Sequence, residues 1–475
     1  MTSPSIVWFR QDLRIHDNPA LYHAAKSKAP LILVYILDDE TTWQPGAASR
    51  WWLHFSLQNL MQDLEKKYQA TLILAKGSAK VELERIIKQY KVNAIYWNRC
   101  YEPDYIARDT LIKKSLFDKG IDVHSFNGAL LKEPWEITNK SKLPFKVFTP
   151  FWKTLQQESI RDILPSPGKF SAIETNQGLS LEDLNLLPSI PWDGGLKTHW
   201  QPGEKAAKDK LKRFLEGPAK GYKSLRDHPG IVATSKLSPH LHLGEISPVQ
   251  VWHAAIAAKE SKASLHTDLH HFLSELAWRE FSTHLLYHFP ALPEKAYKSP
   301  FDDFPWEPNK KHLIAWQKGL TGYPIVDAGM RELWHTGWMH NRVRMIVASF
   351  LIKHLLQPWQ AGEAWFWDTL VDADLANNAA SWQWVAGSGA DAAPYFRIFN
   401  PILQGEKFDK TGDYVKKWVP ELAQLDAKYI HQPWEAPAEI LKKAGITLGK
   451  TYPLPIVEHD IGRKRALAAY KKIRV

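Results

Sequence analysis

Between Trp338 and Pro401 the chain concentrates side chains that can do chemistry. The stretch opens Trp338-Met339-His340-Asn341-Arg342-Val343-Arg344-Met345. It continues through Asp372-Ala373-Asp374-Leu375-Ala376-Asn377-Asn378 and Ser381-Trp382-Gln383-Trp384, and closes Ala392-Ala393-Pro394-Tyr395-Phe396-Arg397-Ile398-Phe399-Asn400-Pro401. Lone carboxylates, amides, arginines and tryptophans with few lysines suit a lined cavity better than a solvated surface. On an ideal helical wheel over 338–351, Met339, Val343, Ile346, Val347 and Phe350 share a face to bury. Trp338, Asn341, Arg342, Met345 and Ser349 share another. An indole, an amide, a guanidinium and a thioether can together stack on a ring, hydrogen-bond a base edge and hold a phosphate. That face is therefore assigned to a ligand. Arg344 points away from it, towards an acid such as Asp372. The Asp372/Asp374 pair is open to three readings: helix caps, metal ligands, or acceptors for a polar heterocycle with Asn378 alongside.

Two further groups lie upstream. Glu275, Trp278 and Arg279 are three or four residues apart and give one polar-aromatic helix face, for a ligand or for solvated ion pairs. Tyr222, Arg226 and the loop Thr234-Ser235-Lys236-Leu237-Ser238 precede a Pro-His helix start. Their hydroxyls and backbone N–H groups suit a phosphate or a plain N-cap. His266, His270 and His271 contain an i,i+4 pair, but no third ligand is placed by spacing, so no metal site is assigned. Walker A, Gly-x-Ser-x-Gly and His-Glu-x-x-His patterns are missing, which removes the familiar phosphoryl-transfer, acyl-transfer and zinc-hydrolysis signatures.

The elements that must position these residues follow from length and periodicity. A chain of 475 residues exceeds one ordinary core, so two domains are expected. Ile6-Val7-Trp8-Phe9, the run 31–36, Leu72-Ile73-Leu74 and Ala94-Ile95-Tyr96-Trp97 read as buried strands, with Val123-His124-Ser125-Phe126 as a further one. Helical periodicity near 18–27, 49–67, 80–90 and 105–119 separates them. The fold class is therefore an α/β N-terminal domain with a doubly wound, Rossmann-like parallel sheet, plus a larger all-α C-terminal domain. No Gly-x-Gly-x-x-Gly follows the first strand, so a conventional dinucleotide site there is not expected. Expected boundaries are 1–130 for the α/β domain, 131–203 for a proline-punctuated connector and 204–475 for the helical domain.

Composition narrows the partner. The formal charge of +10 favours a polyanion such as nucleic acid. A single cysteine excludes an internal disulfide and a cysteine-built zinc site, and fits a reducing, cytoplasmic setting. No secretory signal and no membrane span are expected. Most of the 22 tryptophans are expected in the core, and some are candidates for stacking on a ring or carrying an electron.

The motifs resemble the photolyase/cryptochrome family over essentially the whole chain, and within it the bacterial class I-type photolyases for cyclobutane pyrimidine dimers. The resemblance is carried by Trp8-Phe9-Arg10-Gln11-Asp12-Leu13-Arg14-Ile15-His16-Asp17-Asn18, by Thr321-Gly322-Tyr323-Pro324-Ile325-Val326-Asp327-Ala328-Gly329-Met330 and by the 338–401 stretch. It implies a folded FAD, active when reduced, held by Tyr222, Thr234, Ser235, Lys236, Leu237, Ser238, Phe272, Arg344, Asp372, Asp374 and Asn378. It implies lesion chemistry at Glu275, Asn341, Arg342 and Met345. DNA contacts are implied at Arg226, Glu275, Trp278, Asn341, Arg342 and Trp384, and electron transfer through Trp382, Trp359 and Trp306.

The implied reaction splits a flipped-out dimer by one electron from light-excited FAD. A cryptochrome-type photoreceptor without repair is the alternative. Six-four photolyases carry histidines where this chain has Asn341 and Met345. Plant cryptochromes usually place Asp at the position of Asn378, and cryptochromes add C-terminal tails beyond the point matching Val475. These differences favour dimer repair. A second chromophore, folate or deazaflavin, is also implied. The folate-type Asn-Glu pair is not preserved in Tyr101-Glu102-Pro103-Asp104-Tyr105, which leaves its identity open. The expected partner is dimer-containing DNA, bound by a monomer without an obligate protein partner. That monomer is cytoplasmic and associates with the nucleoid through DNA.

Overall fold

Five apolar runs become parallel strands: β1 (Ser5–Phe9), β2 (Leu31–Leu37), β3 (Leu72–Lys76), β4 (Ala94–Asn98) and β5 (Asp122–Phe126), ordered β3-β2-β1-β4-β5. In this computed structural model, residues 3–174, 177–391 and 396–473 are described. Ala392 to Tyr395 of the closing motif lie outside them. Register places Ile6 opposite Ile32 and Ile95, and Trp8 opposite Val34 and Trp97. β1 and β4 are buried throughout, which explains why they read as continuous apolar runs rather than alternating ones. β5 closes one edge, is largely half-exposed and accordingly carries Asp122, His124 and Ser125.

Helices α1 (Pro19–Lys26), α2 (Ala47–Tyr68), α3 (Ala79–Tyr90) and α4 (Pro103–Asp118) alternate with the strands. α1 starts where the sequence dictates. Asn18 Oδ1 accepts the Leu21 N–H at 3.1 Å, and Pro19 occupies the first helical position, where no N–H is needed. The connector is mostly irregular but contains α5 (Phe148–Leu155). It is tied down by backbone bonds from Leu31 to Ser171 and from Leu179 to Leu74, and by Phe145 N–H donating to His284 Nε2 at 3.0 Å.

The chain divides into two compact units. One comprises Met1–Asp193, Trp200–Lys220 and Ser235–Pro290; the other comprises Gly194–His199, Gly221–Thr234 and Ala291–Val475. Helices α6 (Glu204–Glu216), α7 (Pro248–Ser261) and α8 (His266–His288) thus belong to the unit that bears the sheet. Composition changes where strands cease near 203, but packing follows side-chain bonds. Arg14, 1% exposed, donates to Gly244 O at 2.9 Å. Gly244 has φ +68°, and a Cβ there would lie 2.2 Å from Gln11 O, so only glycine permits this approach.

The second unit is helical and includes α9 (Pro324–Thr336), α10 (Asn341–Ser349), α11 (Trp359–Thr369) and α12 (Leu375–Ala386). Its core gathers Trp316, Tyr323, Trp359, Phe366 and Trp382 around Met339, Val343, Ile346, Val347 and Phe350. These last five are the face expected to be buried, each at most 1% exposed. α10 begins at Asn341 rather than 338, because His340 is an extended N-cap whose Nδ1 accepts the Arg342 N–H at 3.2 Å. A π-helical turn over Phe350–His354 follows it. No described helix is long and apolar enough to cross a membrane.

Candidate functional site

In the helical unit, the chain between Asp372 and Asn378 makes one compact turn into α12. Arg344 Nη2 donates to both oxygens of Asp372, at 3.0 and 2.8 Å, and its Nε donates to Met339 O at 2.8 Å. The Arg344–Asp372 pair expected from the sequence is therefore formed, and Asp372 is buried. Asp374 is the N-cap of α12. Its Oδ1 accepts the Asn377 N–H at 2.8 Å, which realises the cap reading of the acidic pair for this member. Among the described residues no group of three or more His, Cys, Asp or Glu is placed to hold a metal ion.

Asn378 is buried, and its Nδ2 donates to Glu363 O on α11 at 3.0 Å, which fixes the plane of the amide. Glu363 itself is 0% exposed, and among the described residues neither carboxyl oxygen has a hydrogen-bond partner. Burial pushes that carboxyl up to about 9. A buried acid that accepts nothing from the protein fits contact with a polar ligand atom. Sequence reasoning missed Glu363, although a signal was present. Trp359, Glu363 and Phe366 fall at i, i+4 and i+7, which places an acid on the apolar face of α11.

On α10, Arg342 Nη2 donates to Asp227 at 2.8 Å, and its guanidinium lies 4.6 Å from the Phe408 ring centroid. Arg342 Nη1 approaches Met345 Sδ at 3.7 Å, so these two occupy one face as expected, with Asn341 exposed at the helix start. Two residues leave that face. Ser349 Oγ accepts the Phe399 N–H at 3.3 Å, and Trp338, lying before the helix, sits 5.9 Å from the Arg344 guanidinium. The wheel misplaced Trp338 because it assumed helix at 338. Tyr222 is buried, and the Arg226 guanidinium lies 5.5 Å from its ring. Trp384 lines a small cleft with Lys353, Arg397 and Phe399. Asp227 and Phe408 were not singled out from the sequence, since neither has a local pattern that announces its partner.

The three tryptophans expected to carry electrons lie in or beside the core of this unit. Trp382 and Trp359 are 2% and 1% exposed, and Trp306 packs at the core's margin. The Trp382 ring lies against Gly362 so closely that a Cβ there would be 2.1 Å away. Gly362 is one helical turn beyond Trp359. Glu307 N–H donates to Leu356 O at 2.8 Å and Gln357 Nε2 donates to Glu307 O at 2.9 Å, which ties the Trp306 segment to the residues just before Trp359. Trp382 thus lies against α11, which Trp359 begins, and the Trp306 segment is tied to the residues that lead into that helix.

The sheet-bearing unit carries the remaining candidates. Leu237 and Phe272 are buried, and Phe272 packs on Phe214 at 4.6 Å between centroids. Thr234 ends its segment of the helical unit, while Ser235, Lys236 and Ser238 begin the neighbouring segment of this one. Burial, followed by the like charges of Lys236 and Arg213, pushes Lys210 down to about 8. Such a cluster of mutually repelling cations fits an anion. Glu275 is half-buried on α8. Trp278, one turn on, is stacked on Phe148 at 3.8 Å and 9°. Arg279 donates to Ala129 O at 2.9 Å, so it holds the chain just after β5 rather than completing a ligand face. His270 packs on Trp152 at 5.6 Å, in keeping with an amphipathic helix.

At the carboxyl ends of β1 and β4, where strand order reverses, ligands of such sheets usually bind. Here Arg10 pairs with Asp109 and Asn98 O, while Arg108 pairs with Asp38 and Asp109 at 2.8 Å. Both guanidinium groups lie under 5 Å from the Trp8 ring centroid, at 4.7 and 4.8 Å. Side chains fill that switch point.

Comparison with known proteins adds independent findings. Residues 5–168 match the DNA photolyase family model, and 272–472 match the FAD binding domain of DNA photolyase. The chain is 52% identical over 476 residues to a deoxyribodipyrimidine photo-lyase of Agrobacterium fabrum, covering 100% of this chain and 98% of that protein. It is 39% identical to cryptochrome-2 of Arabidopsis thaliana, covering 100% of this chain and 80% of that one. The crystal structure of a bacterial class III photolyase from Agrobacterium tumefaciens superposes with a TM-score of 0.96 at 52% identity, covering 100% of this chain and 98% of that one.

Proposed function

This chain belongs to the photolyase/cryptochrome family, and from that premise we propose that it is a light-driven DNA-repair enzyme acting on cyclobutane pyrimidine dimers. The observation that carries the reading is the Arg344–Asp372 pair next to the fixed Asn378 amide, within the segment that matches the FAD binding domain. The polar groups fit FAD. The carboxyl of Glu363, without a partner among the described residues, suits a polar heterocycle. Tyr222, Thr234, Ser235, Lys236, Leu237, Ser238, Phe272, Arg344, Asp372, Asp374 and Asn378 would hold it.

Bound and reduced, FAD would supply the light-driven electron that opens the cyclobutane ring. The protein's own residues do the rest. Arg226 and Arg342 neutralise backbone phosphates, which makes affinity salt-dependent. Trp278 and Trp384 present ring faces to the flipped pyrimidines. Glu275 and Asn341 hydrogen-bond the dimer, and Met345 fills the space beside them. Trp306, Trp359 and Trp382 serve as the route by which oxidised flavin regains electrons. The proposed functional division remains 1–130, 131–203 and 204–475; the family models match 5–168, which reaches into the connector, and 272–472, within the last segment.

For the subclass, the reading follows the 52% identical class III relative rather than the class I type suggested by the motifs. A second chromophore of folate or deazaflavin type belongs to the proposal. The ion pairs filling the β1/β4 switch point argue for a location elsewhere in that unit. DNA is the partner, the protein acts as a monomer, and a cytoplasmic location follows the single buried cysteine.

The test is loss of dimers from damaged DNA incubated with the reduced protein under blue light. Dimers that persist despite bound flavin reject repair. That result would favour the photoreceptor reading, which the 39% identity to a plant cryptochrome supports.

A further inference from the structure

We propose that Glu363 is a proton-bearing positioning residue of the flavin site: its neutral carboxyl group donates a hydrogen bond, beside the Asn378 amide, to an acceptor on bound FAD or to a water enclosed with it. The inference deepens the flavin reading and rests on it. Other buried acids of this protein are supplied with donors. Glu245 accepts from Trp52, Ser56 and Gly203; Asp327 accepts from Thr321, Gly322 and Tyr452; Glu280 accepts from Leu131. Glu363 is as buried as these, at 0% exposure, and both of its carboxyl oxygens lack a partner among the described residues.

An acid in that position is expensive to keep charged and is more cheaply held with its proton. Burial alone pushes it up to about 9, so the neutral form prevails at pH 7. A protonated carboxyl has one O–H to donate, and the group it faces must therefore accept. A carbonyl oxygen or imine nitrogen of a heterocycle fits, as does a water; a carboxylate or phosphate is not required. Position couples it to the site already described, because the backbone oxygen of the same residue holds Asn378 Nδ2 at 3.0 Å. Glu363 thus bears on the Asn378 amide through its main chain and on the ligand through its side chain.

The experiment uses the full chain loaded with FAD and reads two signals besides repair. The first is the infrared difference spectrum between dark and illuminated protein, in H₂O and D₂O. The expected result is a protonated-carboxyl C=O band that shifts in D₂O and is removed by Glu363→Gln. The second is FAD affinity. Glu363→Leu, which cannot donate, should weaken it about tenfold, whereas Glu363→Gln, which can, should stay within about twofold. A band that moves when FAD is added to flavin-free protein identifies FAD as the acceptor; one that stays identifies water.

Absence of the band in the wild type, its survival in Glu363→Gln, or equal affinity losses in Gln and Leu overturns the inference. Wild-type protein that takes up no FAD overturns the flavin reading itself. A normal FAD load without the Glu363 band overturns this inference alone.

Discussion

Two buried acids, Asp17 of the sheet-bearing unit and Glu363 of the helical unit, are treated in opposite ways. Asp17, at 0% exposure, accepts from Arg161, from Ser247 Oγ and from the Leu164 N–H. Burial pushes its carboxyl up, but the Arg161 bond and the Arg14 charge outweigh burial and hold it below the ordinary carboxylate range. Glu363, equally buried in the other unit, has no such escort among the described residues and is pushed up to about 9. An acid whose task is to hold the fold comes with its counter-charge already in place. An acid left alone inside a core marks where the fold expects something the polypeptide does not supply.

Breaking the escorted acid should have the largest effect. Asp17→Asn leaves Arg161 and the buried Arg14 without their carboxylate, and should cost about 3–5 kcal/mol in denaturant unfolding. An effect no larger than that of a surface substitution would erase the contrast.

The pH dependence of the two acids should differ in sign. Asp17 has a depressed value, so its contribution is present above the ordinary carboxylate range and is lost as pH falls through the depressed one. Glu363 has a raised value. The folded flavin-free protein retains a proton there that the unfolded chain releases, so its stability falls as pH rises from the ordinary range towards 9. Relative to Glu363→Gln, the wild type should lose up to ~1.4 kcal/mol per pH unit across that window, or roughly 3 kcal/mol from pH 6 to 8. Chemical denaturation of both proteins at each pH measures the difference.

The neighbouring residue tests how rigidly the lone acid is framed. Gly362→Ala drives a methyl into the Trp382 ring and should destabilise by about 1–3 kcal/mol. It should also slow flavin photoreduction, read by transient absorption, by moving Trp382 away from α11. Smallest in energy is Asp372→Asn, an acid of the helical unit that does have an escort. Because Arg344 is a quarter exposed, the loss should be ~1.5 kcal/mol, read as about a tenfold weaker hold on FAD.

Much of this arrangement is legible in the sequence, and the parts that are not share a cause. The apolar runs at 6–9, 31–36, 72–74 and 94–97 became strands close to those bounds, since continuous burial and strand length are local properties. The buried face Met339, Val343, Ile346, Val347 and Phe350 was likewise available from 3.6-residue spacing. Trp338 was misplaced because a cap at His340, not the apolar spacing, sets where α10 starts. Arg279 looked like part of a ligand face, yet its guanidinium is taken by Ala129 O, and Phe148 of the connector covers one ring face of Trp278; both come from far along the chain.

By itself, then, the sequence determined the strands, the main helices, the Arg344–Asp372 pairing and a family resemblance strong enough to imply a flavin. Only the tertiary structure decided that Trp382 meets α11 at Gly362, that the β1/β4 switch point is filled by Arg10 and Arg108, and that Glu363 is alone. The reason is that spacing reports which residues share a face. Whether a buried polar atom finds a partner depends on every element brought against it, and that is a property of the packed chain.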